Sequence, residues 1–570
     1  MKRIRIYFRS VFVIILGVSL LLTSCKSYLE EENPPRLNPD FYGTEQGVES
    51  AVTAVYAFMR WGAGDERFNV LTEYGTDLFT QGEDPGPYAA AFNQYGNQLN
   101  PDAAVLYELW ENHYKAIGTA NLVLQQVAAS TVLTAAQKEA ATAEMSFGRA
   151  LFYFDLVQQF GSIPLVLDVA FEARTDFKRA PISAIYQQII TDLRFATEKL
   201  PESPAVRGRA SRYAAAHLLS KVYLTRGSAI EDIRGQQPSD IDSALFYSTQ
   251  VINSKKFALQ SNFADLWNID NQENSEVVFA VQFTTNLVFN GDGNTFHMYW
   301  GSWYEDQPGM QRDLINGRPY RRHRSTNKTM FDLFDRKNDS RFYKSFKWAY
   351  LANRDANGVA IGDTAIYYSL KPSTGTHPYK YFVWNKEDPI QNNRYYPALL
   401  KHFDPERASV NEAKGGRNWV RMRLAETYLI AAEAAGRKKD YQEAANYINV
   451  LRQRAAWHEG EEKMPQYWKE EGGVPGDKQD TYDQIAVNAS SISTNFIDFM
   501  LSERARELLG ETNRWEDLAR CEKLEEYVKA GNPDAINIKP YHKLRPIPQK
   551  HIDRLNPQGA IDEEQNEGYY

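Results

Sequence analysis

The apolar positions of this chain fall mostly into helical stripes. The clearest stripe lies in Met500–Arg520, where Leu501, Ala505, Leu508 and Leu509 recur at i, i+4, i+7 and i+8. Glu503, Arg504, Arg506 and Glu507 cover the other side of that helix. Gly510 ends it, because glycine takes a left-handed cap without strain. A second helix begins near Asn513 with Trp515 and Leu518 inside. Neither short helix can bury its stripe alone, so the hairpin predicts further helices to pack on.

Those helices are written upstream. Residues 44–60 place Val48, Val52, Val55 and Phe58 or Met59 on one face. Helical periodicity returns at 106–127, 135–160, 182–200, 211–226 and 240–253, and again at 420–435 and 441–456. The pairs recur at roughly the 34-residue spacing of tetratricopeptide repeats. Residues 276–283 form a Val- and Phe-rich strand. Residues 286–416 are loops and short strands loaded with aromatics, residues 459–484 a polar excursion, and residues 539–570 a Pro-rich tail. The predicted fold is mainly α, a tetratricopeptide-like scaffold carrying a mixed loop and short-strand insertion. Its segments are a leader (1–24), a tether (25–43), N-terminal repeats (44–270), an insertion (271–416) for which a ligand-binding role is expected on the grounds given below, C-terminal repeats (417–530) and the tail (531–570). Residues 73–100 interrupt the first part as a long aromatic loop; loops of that length in compact proteins are functional or disordered, and the aromatics favour function over disorder.

Composition sharpens this picture in two places. The 570 residues are 43% hydrophobic and 24% charged, as in a globular protein, with a net charge of −8. Removing Lys2, Arg3, Arg5 and Arg9 with the leader makes the chain more acidic, which argues against a nucleic-acid partner. The 11 Trp and 34 Tyr are enough to supply a binding surface as well as a core. At the N-terminus, basic residues precede the apolar run 11–22, too short for a bilayer span but right for a signal peptide. Leu22-Thr-Ser-Cys25 resembles a lipobox, which makes Cys25 the lipid attachment site and acyl chains the membrane anchor. Cys521 is the only other cysteine, so no intrachain disulfide is expected after processing. Glu30-Glu-Glu32 resembles a surface-export signal, a solvated linker being the alternative.

Several stretches resemble the SusD/RagB family of outer-membrane nutrient-binding lipoproteins. They are Glu144–Val166 with its Gly-Ser-Ile-Pro turn, Gly208–Leu224, Val420–Ala434, Tyr447–Ala455, Glu503–Arg520, Leu544-Arg-Pro-Ile-Pro548, Asn556-Pro557 and Gln565–Tyr569. Glu567 stands where the family usually has proline. The resemblance implies a binding protein rather than an enzyme, acting as the lid of a SusC-like TonB-dependent transporter. It places the protein on the outer membrane, lipid-anchored and surface-exposed. The ligand it implies is usually an oligosaccharide and sometimes a peptide, held by the insertion and the loop after the first helix.

Sugar recognition needs flat apolar faces plus polar side chains that bridge hydroxyls. Tyr299, Trp300, Trp303 and Tyr304 around a Gly-Ser turn are the first candidates, with packing of the insertion as the other reading. Asp77, Gln81, Tyr95 and Asn97 in the early loop are the second group, and Trp61 is assigned mainly to the core. Asn353–Gly358 begins like a calcium loop, but Thr364 occupies the position of the bidentate Glu, so a hairpin turn on Asn357-Gly358 is preferred and no cofactor is predicted. Alternating charges around Glu503–Arg520 are assigned to ion pairs that lock repeats together. Two rivals stand beside the glycan reading: a repeat adaptor without a soluble ligand, and a glycosidase with two facing carboxylates.

Overall fold

The structure, a computed structural model, describes residues 41, 44–169, 174–356 and 358–570. The signal peptide, Cys25, the tether apart from Phe41, and Asn357 lie outside the described residues. The long helices are α1 (Glu45–Phe58), α2 (Glu66–Thr72), α3 (Ala104–Ala129), α4 (Ala135–Phe160), α5 (Ile182–Lys199), α6 (Arg212–Gly227), α7 (Asp240–Asn253), α8 (Leu424–Arg437), α9 (Tyr441–Ala455), α10 (Phe496–Glu507) and α11 (Arg514–Arg520). From α3 to α9 each helix packs on the one before and the one after. That nearest-neighbour order is the signature of a helical repeat. The order continues from α7 to α8 although residues 254–423 intervene.

Local chemistry sets the elements. A capping box between Thr134 and Gln137 starts α4. From Ala141 onward α4 is buried on nearly every side, because α3 and α5 flank it and α1 lies across it. At Gly148 a Cβ would stand 2.7 Å from Val55, so glycine permits that crossing. Arg149 reaches from α4 to Asp192 on α5 (2.7 and 2.8 Å) and Asn121 on α3 (2.8 Å), tying three helices through one buried guanidinium.

The insertion leaves and re-enters the scaffold through one ribbon. Strand β2 (Val277–Val281) pairs antiparallel with β9 (Trp419–Arg423), and Phe279 packs edge-on against Phe147 of α4. Residues 420–423 were expected to be helical. They are strand, because the run Trp-Val-Arg-Met-Arg pairs with β2 and carries Arg423 to Glu276, and helix begins only at Leu424. Within the insertion, β4 (Phe346–Lys347) pairs with β8 (Ala398–Leu399), and β5 (Ala349–Leu351), β6 (Thr364–Ser369) and β7 (Lys380–Val383) form a small mixed sheet. Its aromatics build a second core distinct from that of the scaffold. The expected polar excursion contributes to it, since Tyr467 and Trp468 are buried there.

Helix α10 joins these parts. Leu501 lies in the scaffold core, Ala505 and Leu509 in the insertion core, and Met500 and Leu508 in a third core with α8 and α9. A helix at such a junction leaves little of its C-terminal half facing solvent. The charges expected to cover its outer face are therefore inside, with Glu503, Arg504 and Glu507 all under 3% exposed. Glu507 meets Arg341 of the insertion (2.9 Å), Arg423 of β9 (2.7 Å) and Arg454 of α9. Arg504 bridges Glu426 of α8 (3.1 Å) and Asp517 of α11 (2.6 Å).

Two outcomes follow from this junction. Glu507→Gln removes the one carboxylate shared by three buried guanidiniums, leaving Arg423 and Arg454 to share Glu276, so denaturant unfolding should show a loss of about 3–5 kcal/mol. A loss under about 1 kcal/mol would show that the cluster is not structural. Burial alone would raise the Glu507 and Glu503 carboxyls, but the surrounding arginines outweigh it and hold both below the ordinary range. A folded-state value below the unfolded one gives stability that is full above about pH 5 and lost as pH falls toward the folded value. Melting temperature should fall steeply below about pH 5 in the parent and less steeply in Glu507→Gln. Parallel slopes would assign the acid sensitivity to other carboxylates.

Candidate functional site

The early loop and the insertion meet along a seam laced by backbone hydrogen bonds. Strand β1 (Phe79–Gln81) pairs antiparallel with β3 (His323–Ser325), with Gln81 opposite His323. Beyond the strand, the Gly82 N–H donates to Arg322 O (2.7 Å), Asp84 N–H to Arg321 O (3.3 Å) and Glu83 N–H to Asn393 O (2.9 Å). The Trp303 N–H donates to Arg394 O (3.0 Å). A Cβ on residue 82 would stand 2.1 Å from Arg321 O, so the close approach requires glycine. Arg321 itself sits at φ 57°, a left-handed conformation held by the flanking bonds.

That lacing gathers side chains from four distant segments around Trp303, which is half-buried. The Arg321 and Arg394 guanidinium carbons lie 4.0 and 5.3 Å from its ring centroid. Glu83 accepts from both arginines, at 2.7 and 3.2 Å. Asp306 accepts from Arg394 (3.0 Å) and from the Tyr395 hydroxyl (2.7 Å). Partial burial and the bond to Asp306 push the Tyr395 phenol up to about 12, so it stays a donor across the physiological range. The Tyr395 ring stacks on Phe382 at 4.3 Å and 14°. Two part-exposed aromatic surfaces, Trp303 and Tyr395–Phe382, are thus separated by one arginine that packs on both Trp303 and Tyr395. The arrangement offers apolar faces with donors and acceptors at their edges, which is what a polyhydroxylated ring requires.

The remaining predicted residues go elsewhere. Trp300 is 1% exposed, boxed by Phe79 (4.6 Å), His323 (5.4 Å) and Phe296 (5.9 Å), so it packs the insertion core and presents no face to a ligand. Tyr299 is buried with its hydroxyl on Thr295 (3.0 Å). Tyr304 is buried too, donates to Gly317 O (2.7 Å) and stacks on Tyr350. Asp77 is fully buried between Arg514 (2.6 and 2.8 Å) and Lys328 (2.7 Å). Burial would raise its carboxyl, yet those cations hold it below the ordinary range, so it is a fixed structural ion pair. Gln81 lies at the end of β1 beside the seam and accepts from Gln94 (3.2 Å). Tyr95 is buried at φ 54° and donates to Gly75 O (3.1 Å), while Asn97 is exposed nearby. Trp61 is half-buried against His113 and Arg67.

Glu83, Arg321, Arg394, Tyr395 and Phe382 were missed. The run Arg318-Pro-Tyr-Arg-Arg322 was the available signal, a basic–aromatic stretch in a segment without periodicity. In the segment that begins like a calcium loop, Ala356 and Val359 exchange both backbone hydrogen bonds as a tight hairpin. The Asn353 and Asp355 side-chain oxygens accept from the N–H groups of Gln311 and Ile361.

Comparison with known proteins covers nearly the whole chain. The SusD family model matches residues 244–569, and a model described as starch-binding associating with outer membrane matches residues 27–224. SusD-like protein P25 of Formosa agariphila is 24% identical over 98% of this chain and 99% of its own length. A SusD superfamily structure from Parabacteroides distasonis superposes with a TM-score of 0.67 at 22% identity, over 92% of this chain and 99% of that one. A laminarin-binding SusD-like protein superposes with a TM-score of 0.64 at 23% identity, over 92% and 100%. At these identities the superpositions show the fold, a mainly helical scaffold of the SusD type. The SusD family model spans more than half of the sequence, and the chain belongs to the SusD family.

Proposed function

We propose that this protein is a non-catalytic glycan-binding lipoprotein of the outer membrane, and that a sugar ring stacks at Trp303. The observation that carries this is the half-buried Trp303 beside Arg321 and Arg394, with Glu83, Asp306 and Tyr395 bonded to those arginines or to one another around it. Tyr395 and Phe382 extend the surface for a neighbouring ring of the same chain. Family membership supports the reading, as does the laminarin-binding name of a structural relative and the starch-binding, outer-membrane description of the N-terminal match. Binding without cleavage is supported by the geometry of the seam, because Arg394 bonds both Glu83 and Asp306 and so stands between them. A glycosidase needs one protonated and one free carboxyl facing each other. Acylation of Cys25 and delivery to a SusC-like TonB-dependent transporter complete the proposal, on the strength of the sequence resemblance.

Affinity electrophoresis of residues 26–570 against plant, host and microbial polysaccharides, with laminarin and starch in the first round, tests the site. Trp303→Ala should weaken retardation by the bound polymer about tenfold and leave the melting temperature nearly unchanged. Trp300→Ala should do the reverse, removing about 3–5 kcal/mol of stability while the folded fraction still binds. Unchanged binding in Trp303→Ala would remove the seam as the site. Release of new reducing ends from the bound polymer would overturn the non-catalytic reading.

A further inference from the structure

We infer that a hollow between the early loop and the C-terminal tail is a second carbohydrate site, one that holds a short saccharide stretch; this rests on the glycan reading above. The hollow has a volume of about 320 Å³ and lies between residues 95–101 and residues 537–542 and 568–570. Tyr95 lines it from the early loop, and Tyr541 and Tyr570 line it from the tail, Tyr570 being 63% exposed. Asn97, Asn537 and Lys539 stand among these rings.

What distinguishes this hollow is the state of its polar groups. The Asn97 side-chain amide, Asn537 Oδ1, Lys539 Nζ and the hydroxyls of Tyr541 and Tyr570 hold no hydrogen bond or ion pair among the described residues. A hydroxyl and an amide supply both donors and acceptors, whereas an ammonium only donates. Sugar hydroxyls both donate and accept, so they can satisfy such a set, and the exposed ring of Tyr570 suits the C–H side of a pyranose. A cavity of about 340 Å³ beside Trp110 makes the contrast. There the Tyr107 hydroxyl binds Glu111 and receives Arg554, Lys115 pairs with Glu111, and the Tyr114 hydroxyl donates to Pro164 O, so most of its polar groups are already engaged and His551 Nε2 is left unpaired.

The hollow is also joined to the seam. The Asn537 backbone and side-chain N–H groups donate to Gln94 O (3.2 and 3.0 Å), and Gln94 Nε2 donates to Gln81 Oε1 (3.2 Å). Gln81 leads directly into Gly82 and Glu83 of the seam. One polymer reaching both places would gain from the second contact as an intramolecular event.

Crystals of residues 26–570, soaked separately in the methyl glycosides of glucose, galactose, mannose and xylose, test the assignment. The expected result is a pyranose beside Tyr541 and Tyr570 with hydroxyls on Asn97, Asn537 or Lys539 for at least one of the four. In solution, Asn97→Ala/Lys539→Ala should bind the retained polymer about tenfold more weakly with an unchanged melting temperature. A ring at Trp303 but none in the hollow would overturn the second site and leave the seam standing. A hollow that stays empty in all four soaks, together with unchanged polymer binding in the double variant, would overturn it whatever happens at Trp303.

Discussion

The contact of Glu507 with Arg341, Arg423 and Arg454 is the constraint on which the rest of the molecule depends. Those arginines come from the insertion, from the ribbon through which the insertion re-enters, and from helix α9 of the scaffold. Glu276 adds the other strand of the ribbon, accepting from Arg423 (2.8 Å) and Arg454 (3.1 Å). Hydrophobic burial is non-directional and would let the two cores slide on each other. A buried carboxylate with three arginines permits one arrangement only, because any slip leaves a charge unpaired in a low-dielectric interior. Helix α10 carries this cluster and side chains of three cores at once, so the angle between scaffold and insertion is set where it can be set most narrowly.

The position of the site follows from that angle. Trp303 and Arg394 belong to the insertion, whereas Glu83 follows β1 of the early loop, and the early loop is itself pinned by Asp77 to Arg514 of α11. The same pair of helices, α10 and α11, therefore fixes both sides of the seam. Removing the ion pairs would not only lower stability. It would also loosen the registration of Gly82 and Glu83 against Arg321 and Asn393, on which the environment of Trp303 rests.

How much of this was legible depended on the range of the interactions. Helices and their stripes are local, and the hairpin at Leu501–Leu518 announced both its own packing and the need for partners. The strand at Trp419–Arg423 was misjudged because its helical neighbour, Leu424–Arg437, shares its apolar spacing, and only pairing with β2 decides between them. Trp300 and Trp303 are indistinguishable in sequence. The first is boxed by Phe79, more than two hundred residues earlier, and the second lies beside Arg321 and Arg394, so their opposite environments arise from contacts outside the local pattern. Asp77 failed as a ligand candidate for the same reason, since its partner Arg514 is most of the chain away.

Arginine performs two different tasks in this fold, and burial separates them. Around Glu507 the guanidiniums are enclosed, their pairs are unscreened, and breaking one is expensive. At the seam, Arg394 and Glu83 have side chains 42% and 35% exposed, and such pairs are worth at most about 1 kcal/mol. An exposed pair of that kind can yield its hydrogen bonds to a ligand hydroxyl at little cost, whereas an enclosed one cannot. The chain thus uses one side-chain chemistry to fix its frame and to keep a surface of donors and acceptors available beside Trp303.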